Sequence, residues 1–399
     1  MGVRLGPRST SLRSWRSSTT TTDSPELNKG KHLARPAPHA ERPFRPDFLS
    51  PPGQTLEEIL DERALSQTEL ARRLGVSLKH VNQIINGAAT ISAETALGLE
   101  NVLGIAASFW LNRDANFQAE VARRNKQEDL ISSLDWAEQF PVDELKKRGY
   151  LAHKAKGAEL VAELLRFLGI ASARQWKDPA PAYRKSLKST SDSYALAAWL
   201  RVGEIEAQEQ HCAPYDAEHF QEALQQVRRL TRLRATEWEP AVKEVCAAAG
   251  VVLVVVDTFA QARVNGAARW LSPHRAIIQL SLRYRWEDIF WFTFFHEAGH
   301  ILHHRKKNLF VEPKKRPGAN TAEQHDWLKL EQEADRFATR TLIPPARENE
   351  LQHLAVTDVP RFAQELDIAP AIVIGRMQHD GLIPYSQGNH LRRRLAFVD

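Results

Sequence analysis

Two histidines four residues apart inside an apolar segment place the tightest constraint on this chain of 399 residues. His296 and His300 flank Glu297 in the run His-Glu-Ala-Gly-His, and large apolar residues lie on both sides of it. A spacing of four puts both imidazoles on one face of an α-helix, where they can reach one ion. Two buried imidazoles and a carboxylate would be unfavourable without a partner, and a metal ion supplies one. The segment therefore predicts a largely buried helix, Trp286 to His304, that carries a metal site.

The residue between the two histidines suggests hydrolytic chemistry. Glu297 lies about 100° round the helix from His296, so its carboxylate reaches a water beside the metal rather than the metal itself. A zinc ion held by neutral nitrogens lowers the pKa of its water toward about 7 and polarises a peptide carbonyl, while the carboxylate accepts the proton. We expect His296 and His300 to bind Zn²⁺ and Glu297 to act as the catalytic base.

A third ligand is expected from a later helix, predicted over Ala322 to Leu342. Glu331 and Asp335 share one face of that helix at i and i+4. One carboxylate can therefore bind the metal while the other orients a ligand histidine through its second ring nitrogen. Glu333 points to another face, and this favours Glu331 as the ligand. The alternative is that Glu333 binds the metal and Glu331 is solvated.

Three other histidines lie near this pattern in the sequence. His304 is one helical turn beyond His300 and could add a contact, although a surface position is the simpler expectation for it. His303 and His325 are expected to be loop or surface residues without a role in the site.

These motifs together resemble the ImmA/IrrE metallopeptidase family over about Val251 to Pro345. The resemblance rests on the run Phe292 to His304, on Glu-x-Glu-Ala-Asp-x-Phe-Ala starting at Glu331, and on the Leu-Ile-Pro that ends at residue 344. It implies zinc bound by the two histidines and Glu331, with Asp335 standing where Asn is frequent in the family. It also implies an α+β, zincin-like domain related to the gluzincins, which cuts a helix-turn-helix repressor after phage-element or DNA-damage stress.

Short amphipathic helices with clear ends fill residues 54 to 115. Ser66 begins one of them, with a glutamate three residues later, which predicts a capping box, and Gly75 ends it. Ser77 begins the next helix after a short turn. Two helices joined in this way indicate a helix-turn-helix, and Ser66 to Gly87 resembles the XRE type, closest to the HigA antitoxin branch.

A helix-turn-helix presents the N-terminal half of its second helix to base edges in the major groove. The expected base contacts are Lys79, His80 and Gln83, and the expected phosphate contacts are Gln67 and Ser77. The buried side of the same helix is expected to hold four apolar residues: Leu78, Val81, Ile84 and Ile85. The implied partner is double-stranded operator DNA bound by a homodimer.

Net charge by itself does not indicate nucleic-acid binding. The net charge of +5 equals the excess of nine Lys/Arg over four Asp/Glu in residues 1–48, and residues 54–104 hold four Lys/Arg against seven Asp/Glu. A net acidic module binds DNA only if its positive side chains face one way. Docking to proteins is therefore the alternative for this module.

The whole pattern predicts a mostly α fold with a small β-sheet, combining an all-α helix-turn-helix domain with an α+β peptidase domain. The predicted segments are a disordered basic tail at 1–48, the helix-turn-helix domain at 49–123, a helical connecting region at 124–240, the peptidase core at 241–345 and a helical extension at 346–399. The absence of an apolar run of about 18 residues argues against a membrane span. With Cys212 and Cys246 as the only cysteines, a disulfide framework is not expected and a cytoplasmic location is.

The sequence favours a DNA-binding regulator fused to a zinc endopeptidase that cuts a helix-turn-helix repressor or antitoxin. Two other functions stay open. One is a non-proteolytic, HigA-like antitoxin or repressor whose metal site is structural or sensory. The other is an interaction scaffold that binds neither DNA nor metal.

Overall fold

The computed structural model describes residues 15–18, 50–176, 193–304, 310–311 and 321–397, with the backbone alone for 15–18, 310–311, 321–327 and 397. These residues form two units. The smaller unit contains residues 50–135 and 155–162, and the larger one contains the remaining described residues. Two units are coarser than the five segments predicted from the sequence, and the predicted boundaries stay predictions.

The smaller unit begins with five helices of the predicted helix-turn-helix region. They are α1 Pro52–Glu62, α2 Gln67–Leu74, α3 Leu78–Ile85, α4 Ala93–Leu103 and α5 Ala107–Ser132. The hydroxyls of Ser66, Ser77 and Ser92 each accept a hydrogen bond from the backbone N–H three residues on, at the starts of α2, α3 and α4. Gly75 ends α2 with a φ of 70°, in the left-handed region that glycine adopts without strain.

The core of this unit is apolar and closely packed. Leu56 of α1, Leu70 of α2, Ile84 of α3 and Trp110 of α5 are each almost completely buried in one cluster. Gly53 makes the closest approach, since a Cβ atom on it would lie 2.2 Å from the carbonyl oxygen of Ile84. Only glycine therefore fits where α1 begins against the end of α3.

The larger unit holds most of the other helices and all of the strands. After the short helices α6 Leu134–Ala137 and α7 Val142–Lys147 come α8 Gly157–Leu168, α9 Ala173–Trp176, α10 Ser193–Gln208, α11 Ala217–Leu230, α12 Ala235–Ala248, α13 Glu287–His303, α14 Thr321–Leu342, α15 Glu348–Leu351, α16 Val359–Glu365 and α17 Pro370–His379. Helices α6 and α8 each contribute residues to both units. Single 3₁₀ turns occur at Pro345–Arg347, Val356–Asp358 and Asn389–Leu391.

The strands form two sheets. They are β1 Trp15–Ser18, β2 Val251–Val255, β3 Gly266–Ser272, β4 Arg275–Leu280, β5 Phe310–Val311 and β6 Arg394–Phe397. In the main sheet the order is β2-β4-β3-β5, with β2 parallel to β4 and the other pairs antiparallel. Strands β1 and β6 form a separate antiparallel pair. The predicted fold class, mostly α with a small β-sheet, is confirmed.

Helix α13 lies at the centre of the larger core, with buried residues around most of its circumference. Its Trp291 ring packs edge-on against Trp238 of α12, at 4.7 Å between ring centroids, and both indoles are fully buried. Gly299 lies against α14, where a Cβ atom would be 3.2 Å from the Cα of Ala334. The small side chains at this crossing let α13 and α14 approach closely, which brings their polar residues together.

Helices α13 and α14 are found within one residue of their predicted bounds. The apolar, β-branched runs at residues 250–258 and 276–281 are typical of strands, and they hold β2 and β4. Strand β3 and helix α12 were not predicted. The sequence pattern of residues 216–233 is typical of a helix, and the structure has α11 there, ending at Leu230. Helix α12 follows and carries Pro240 in its second turn. The core packing of Trp238 and Val242 retains the helix through that proline.

The structure describes only part of the N-terminal tail, and it tests the membrane prediction only for the described residues. Trp15–Ser18 forms strand β1 within the tail predicted to be disordered, and the rest of residues 1–49 lies outside the described residues. Within the described part of the chain, no helix is both long and apolar enough to cross a membrane.

Candidate metal centre

Helix α13 presents two imidazoles in a buried position. His296 and His300 lie one turn apart, and their residues are 3% and 1% exposed. The two Nε2 atoms are 3.0 Å apart, so both rings point the same nitrogen at one place. The spacing of four residues and the apolar flanks of the helix produce this arrangement, as the sequence indicates.

Helix α14 brings a carboxylate to the same place. Glu331 is 4% exposed, and its two oxygens lie 3.5 Å from His296 Nε2 and 3.3 Å from His300 Nε2. Ligand atoms from these three residues all lie within 4.8 Å of one another, and the described residues contain no other cluster of this kind. Of the two glutamates considered as the third ligand, the structure therefore brings Glu331 to the histidines.

The residues around this cluster fit a divalent cation. Asp335 lies 2.8 Å from His296 Nδ1, and a carboxylate there accepts the Nδ1–H, so that Nε2 is left to face Glu331. Tetrahedral ligands at the zinc distance of about 2.0–2.1 Å lie roughly 3.3 Å from one another. The observed separations of 3.0–3.5 Å match that spacing. The donor set of two imidazoles and one carboxylate also suits zinc.

The electrostatics of the cluster place a negative charge on Glu331. Burial would raise the pKa of Glu331, but its hydrogen bonds with His296 and His300 lower the pKa to about 2. Burial lowers the pKa of His300 to about 4, with the charge of His296 acting in the same direction. Burial would also lower the pKa of His296, but its hydrogen bonds with Asp335 and Glu331 raise it well above its ordinary value.

Glu297 lies on the side of α13 that faces strand β3. The residue is 1% exposed, and a Cβ atom on Gly266 of β3 would lie 2.8 Å from Glu297 Oε1. The negative charge of Glu297 contributes to the raised pKa of His296. Because only glycine at position 266 leaves room for this carboxylate, the strand and the helix together fix its place.

Two residues outside the predicted ligand set also approach the cluster. His304 was expected at the surface, but it is 8% exposed, and its Nδ1 lies 2.8 Å from His300 Nδ1. Its Nε2 lies 3.3 Å from Glu333. The surface expectation for His304 is therefore wrong: α13 continues to His303, and α14 covers the last turn.

The other two histidines, His303 and His325, were predicted to be loop or surface residues. His303 is exposed at the end of α13, in ring contact with Phe337 at 5.1 Å. The side chain of His325 lies outside the described residues.

In the smaller unit, the residues predicted to contact DNA lie at one end of α2 and along α3. Lys79, Gln83 and Ser77 are exposed, whereas His80 and Gln67 are half-buried. The Ser77 hydroxyl accepts the His80 N–H at 3.1 Å, and its own O–H can still donate. The structure thus leaves the predicted contacts at the surface, and their role in DNA binding stays a prediction.

Two details of this module differ from the sequence prediction. Leu78, predicted on the buried side of α3, is 43% exposed because it is the first residue of the helix and the buried cluster begins at Val81. Only one half of the predicted capping box at Ser66 forms, in which the Ser66 hydroxyl accepts the Glu69 N–H. The Glu69 carboxylate pairs instead with Arg72 and Arg73, each at 2.7 Å. These ion pairs lower the pKa of Glu69 to about 2.

Comparison with protein families matches two parts of the chain. Residues 56–110 match the helix-turn-helix family model, and residues 261–376 match the model of the IrrE N-terminal-like domain. The first match covers α1 to α4 and the start of α5. The second contains the cluster of α13 and α14 described above, and its family suggests metallopeptidase-like activity.

Two relatives are similar to short parts of this chain. Virulence-associated protein I of Dichelobacter nodosus is 38% identical over 77 residues, which are 19% of this chain and 71% of that protein. The uncharacterized HTH-type transcriptional regulator YddM of Escherichia coli K12 is 33% identical over 61 residues, which are 15% of this chain and 65% of that protein.

Solved structures with a likeness to this chain include two antitoxin-type proteins. One is an addiction module antidote protein of a HigA family from Coxiella burnetii, with 31% identity, a TM-score of 0.19, and 21% of this chain and 90% of that one covered. The other is the Pseudomonas aeruginosa antitoxin HigA with the higBA promoter, with 32% identity, a TM-score of 0.20, and 20% and 89% covered.

The two family matches fall in separate units and agree with the resemblances found in the sequence. The chain therefore contains an XRE-type helix-turn-helix domain and an IrrE N-terminal-like domain, as the sequence resemblances predicted.

Proposed function

We propose that this chain is a DNA-binding transcription regulator whose larger unit is a zinc-dependent endopeptidase that cuts a helix-turn-helix repressor or antitoxin. The observation that carries the proposal is the buried cluster of His296, His300 and Glu331, with Glu297 beside it, inside the part of the chain that matches the IrrE-like domain. The proposed ligands are the two Nε2 atoms and a carboxylate oxygen of Glu331.

Each side chain then has a defined task in hydrolysis. Zinc bound here would supply Lewis acidity that makes water more acidic and a peptide carbonyl more electrophilic. His296 and His300 would hold the ion, and Asp335 orients His296 so that its Nε2 faces the proposed site. Glu297 accepts the proton of the water that attacks the scissile carbonyl and passes it to the leaving amine nitrogen. Its burial beside β3 holds the carboxylate in place for both transfers.

Co-expression with candidate substrates tests the proposed activity. The chain would be co-expressed with the helix-turn-helix regulators and antitoxins encoded beside its gene, and their fragments identified by mass spectrometry. We expect a defined fragment pair, whose further formation from the purified proteins stops when a zinc chelator is added. Absence of fragments from every such regulator would contradict the proposed endopeptidase activity.

Gly266→Ala is expected to impair cleavage while zinc binding is retained. The new Cβ atom would lie 2.8 Å from Glu297 Oε1 and 2.6 Å from Thr293 Cγ2, so the carboxylate must move. A displacement near 1 Å of a catalytic group can lower the rate by about 100-fold. The rate of fragment formation and the zinc content of the variant measure the two effects.

Gly203→Ala is the matched control, because its Cβ atom would clash with Gln279 rather than with Glu297. It should destabilise the fold but leave the specific activity of the folded protein close to that of the native chain. If both variants lose activity equally, general overpacking rather than Glu297 is responsible.

The helix-turn-helix unit is proposed to bind double-stranded operator DNA as a homodimer. Its support is the family match over residues 56–110 and the exposure of Lys79 and Gln83 on α3. The pairing of Arg72 and Arg73 with one Glu69 leaves Lys79 as a more isolated positive charge near the start of the proposed recognition helix. Lysine at this place suits guanine, and Gln83 suits adenine.

Lys79→Ala is expected to weaken operator binding by about 1–3 kcal/mol and to relax sequence preference at one base pair. Fluorescence anisotropy with DNA from upstream of the gene measures both effects at fixed salt concentration. Lys126→Ala is the matched control, since Lys126 is an exposed lysine of α5 outside the two-helix motif. Equal losses in the two variants would show that Lys79 contributes charge alone.

One observation favours a second function for the metal centre. His296, Glu297, His300 and Glu331 are all at most 4% exposed. A site this closed is typical of a structural or metal-sensing centre in a repressor that does not cut proteins. The coordination of the bound ion distinguishes the two functions, because three protein ligands and a water favour catalysis and a fourth protein ligand favours structure.

A further inference from the structure

A chain of polar contacts runs from the metal cluster through three side chains, those of His300, His304 and Glu333. This chain is called the row below. His300 Nδ1 lies 2.8 Å from His304 Nδ1, and His304 Nε2 lies 3.3 Å from a carboxylate oxygen of Glu333. The His304 side chain is 1% exposed, whereas that of Glu333 is 33% exposed. The row thus begins at the cluster, passes through a buried imidazole and ends at a carboxylate that reaches solvent.

The chemistry of these groups fixes the direction of their hydrogen bonds. An ionised carboxylate only accepts, so His304 donates its Nε2–H to Glu333. A neutral His304 then carries a lone pair on Nδ1, which accepts the Nδ1–H of His300. The remaining lone pair of a neutral His300 is on Nε2, the atom that faces Glu331 at 3.3 Å. The row therefore selects the tautomer of His300 that can bind a metal ion.

The other histidine of the cluster is set in an equivalent way by a shorter connection. Asp335 lies 2.8 Å from His296 Nδ1 and accepts its proton directly, without an intervening ring. Asp335 and Glu333 both belong to α14, so one helix supplies the carboxylates for both imidazoles. A ligand histidine commonly donates its second N–H to a carboxylate or carbonyl, and this contact sets both ring orientation and tautomer.

We propose that His304 and Glu333 are positioning residues for His300, acting as a His–Glu pair that orients this imidazole for metal binding. The proposal rests on the proposed function in one respect, namely that His296, His300 and Glu331 hold a metal ion. His304 is not itself a ligand in it, because its near nitrogen faces Nδ1 of His300 and not the cluster.

Zinc affinity of the full chain, measured by competition with a chromophoric chelator, tests the pair without any substrate. We expect His304→Leu to weaken zinc binding by about 10–100-fold, as replacement of a ligand's hydrogen-bond partner does elsewhere. His304→Asn should restore most of the affinity, because its amide oxygen can occupy the place of Nδ1 and accept from His300. His303→Leu, at the adjacent exposed position, should bind zinc as the native chain does.

A packing role for His304 predicts the opposite order. Leucine fills a buried space well and asparagine does not, so a packing residue would tolerate His304→Leu and be harmed by His304→Asn. Thermal unfolding of the metal-free variants separates loss of fold from loss of affinity. Native affinity in folded His304→Leu, or an affinity of His304→Asn no better than that of His304→Leu, would overturn the proposal.

Glu333 supplies a second test that does not depend on the folding of His304 variants. Glu333→Ala should weaken zinc binding by no more than His304→Leu does, because Glu333 acts one hydrogen bond further away. In the double variant the two losses should not add, since Glu333 has nothing to orient once His304 is gone. Additive losses, or no loss in Glu333→Ala, would contradict a coupled pair.

The native chain separates failure of this proposal from failure of the proposed function. If the native chain does not bind one zinc ion per chain, the proposed metal centre is wrong, and the positioning role of His304 and Glu333 is wrong as well. If the native chain binds one zinc ion and the His304 and Glu333 variants bind it equally well, only the positioning role is wrong.

Discussion

Glu297→Gln is expected to bind zinc as the native chain does and to cut its substrate about 10²–10⁴-fold more slowly. An amide has nearly the same size as the carboxylate, so the buried space between α13 and β3 stays filled. It cannot accept a proton, however, and the contribution of a positioned general base is of this magnitude. Initial rates of fragment formation and elemental analysis of the purified variant measure the two quantities.

Two outcomes would contradict that prediction. Full cleavage by Glu297→Gln would remove Glu297 from the chemistry, and loss of zinc from the variant would make it a residue of the metal site itself. Asp335→Asn is a useful comparison, because an amide oxygen still accepts from His296 Nδ1 and asparagine is frequent at this position in the family that the chain resembles. We expect this variant to retain both zinc and activity.

Glu331→Ala is expected to lower zinc affinity by more than the 10–100-fold that is typical for a residue acting through a ligand. The reason is that Glu331 contributes a ligand atom and the negative charge that faces both Nε2 atoms. Glu333→Ala is the matched control on the same helix, and it should lose far less. The two affinities can be compared by chelator competition on the full chain, with circular dichroism as the check on folding.

The opposite order of these two variants would assign the metal to Glu333. That result would revive the alternative left open by the sequence, in which Glu331 is solvated. The structure already disfavours it, since Glu331 is 4% exposed and contacts both histidines, while Glu333 contacts His304.

The sequence was sufficient to predict which residues form the cluster, because helical spacing relates those on each of its two helices. The interval of four between His296 and His300 and the shared face of Glu331 and Asp335 are local properties of α13 and α14. Apolar flanking residues then indicated that the first of these helices is buried. The meeting of the two helices was inferred from the need of the metal for a third ligand.

Features that depend on distant partners were not predictable in this way. Strand β3 begins Gly-Ala-Ala-Arg, without the alternation of polar and apolar residues that is typical of an amphipathic strand. Its Arg269 can be buried because the side-chain oxygen of Gln279 and the carbonyl oxygen of Leu200 accept hydrogen bonds from the guanidinium. His304 resembles any polar residue at a helix end until α14 is placed over it. The exposure of Leu78 likewise depends on where the neighbouring helices end.

Anomalous X-ray diffraction at the zinc edge, from crystals of the full zinc-loaded chain, tests the central claim most directly. We predict one peak at about 2.0–2.2 Å from His296 Nε2, His300 Nε2 and an oxygen of Glu331. A zinc ion bound by other side chains, or no ion between these three, would contradict the account.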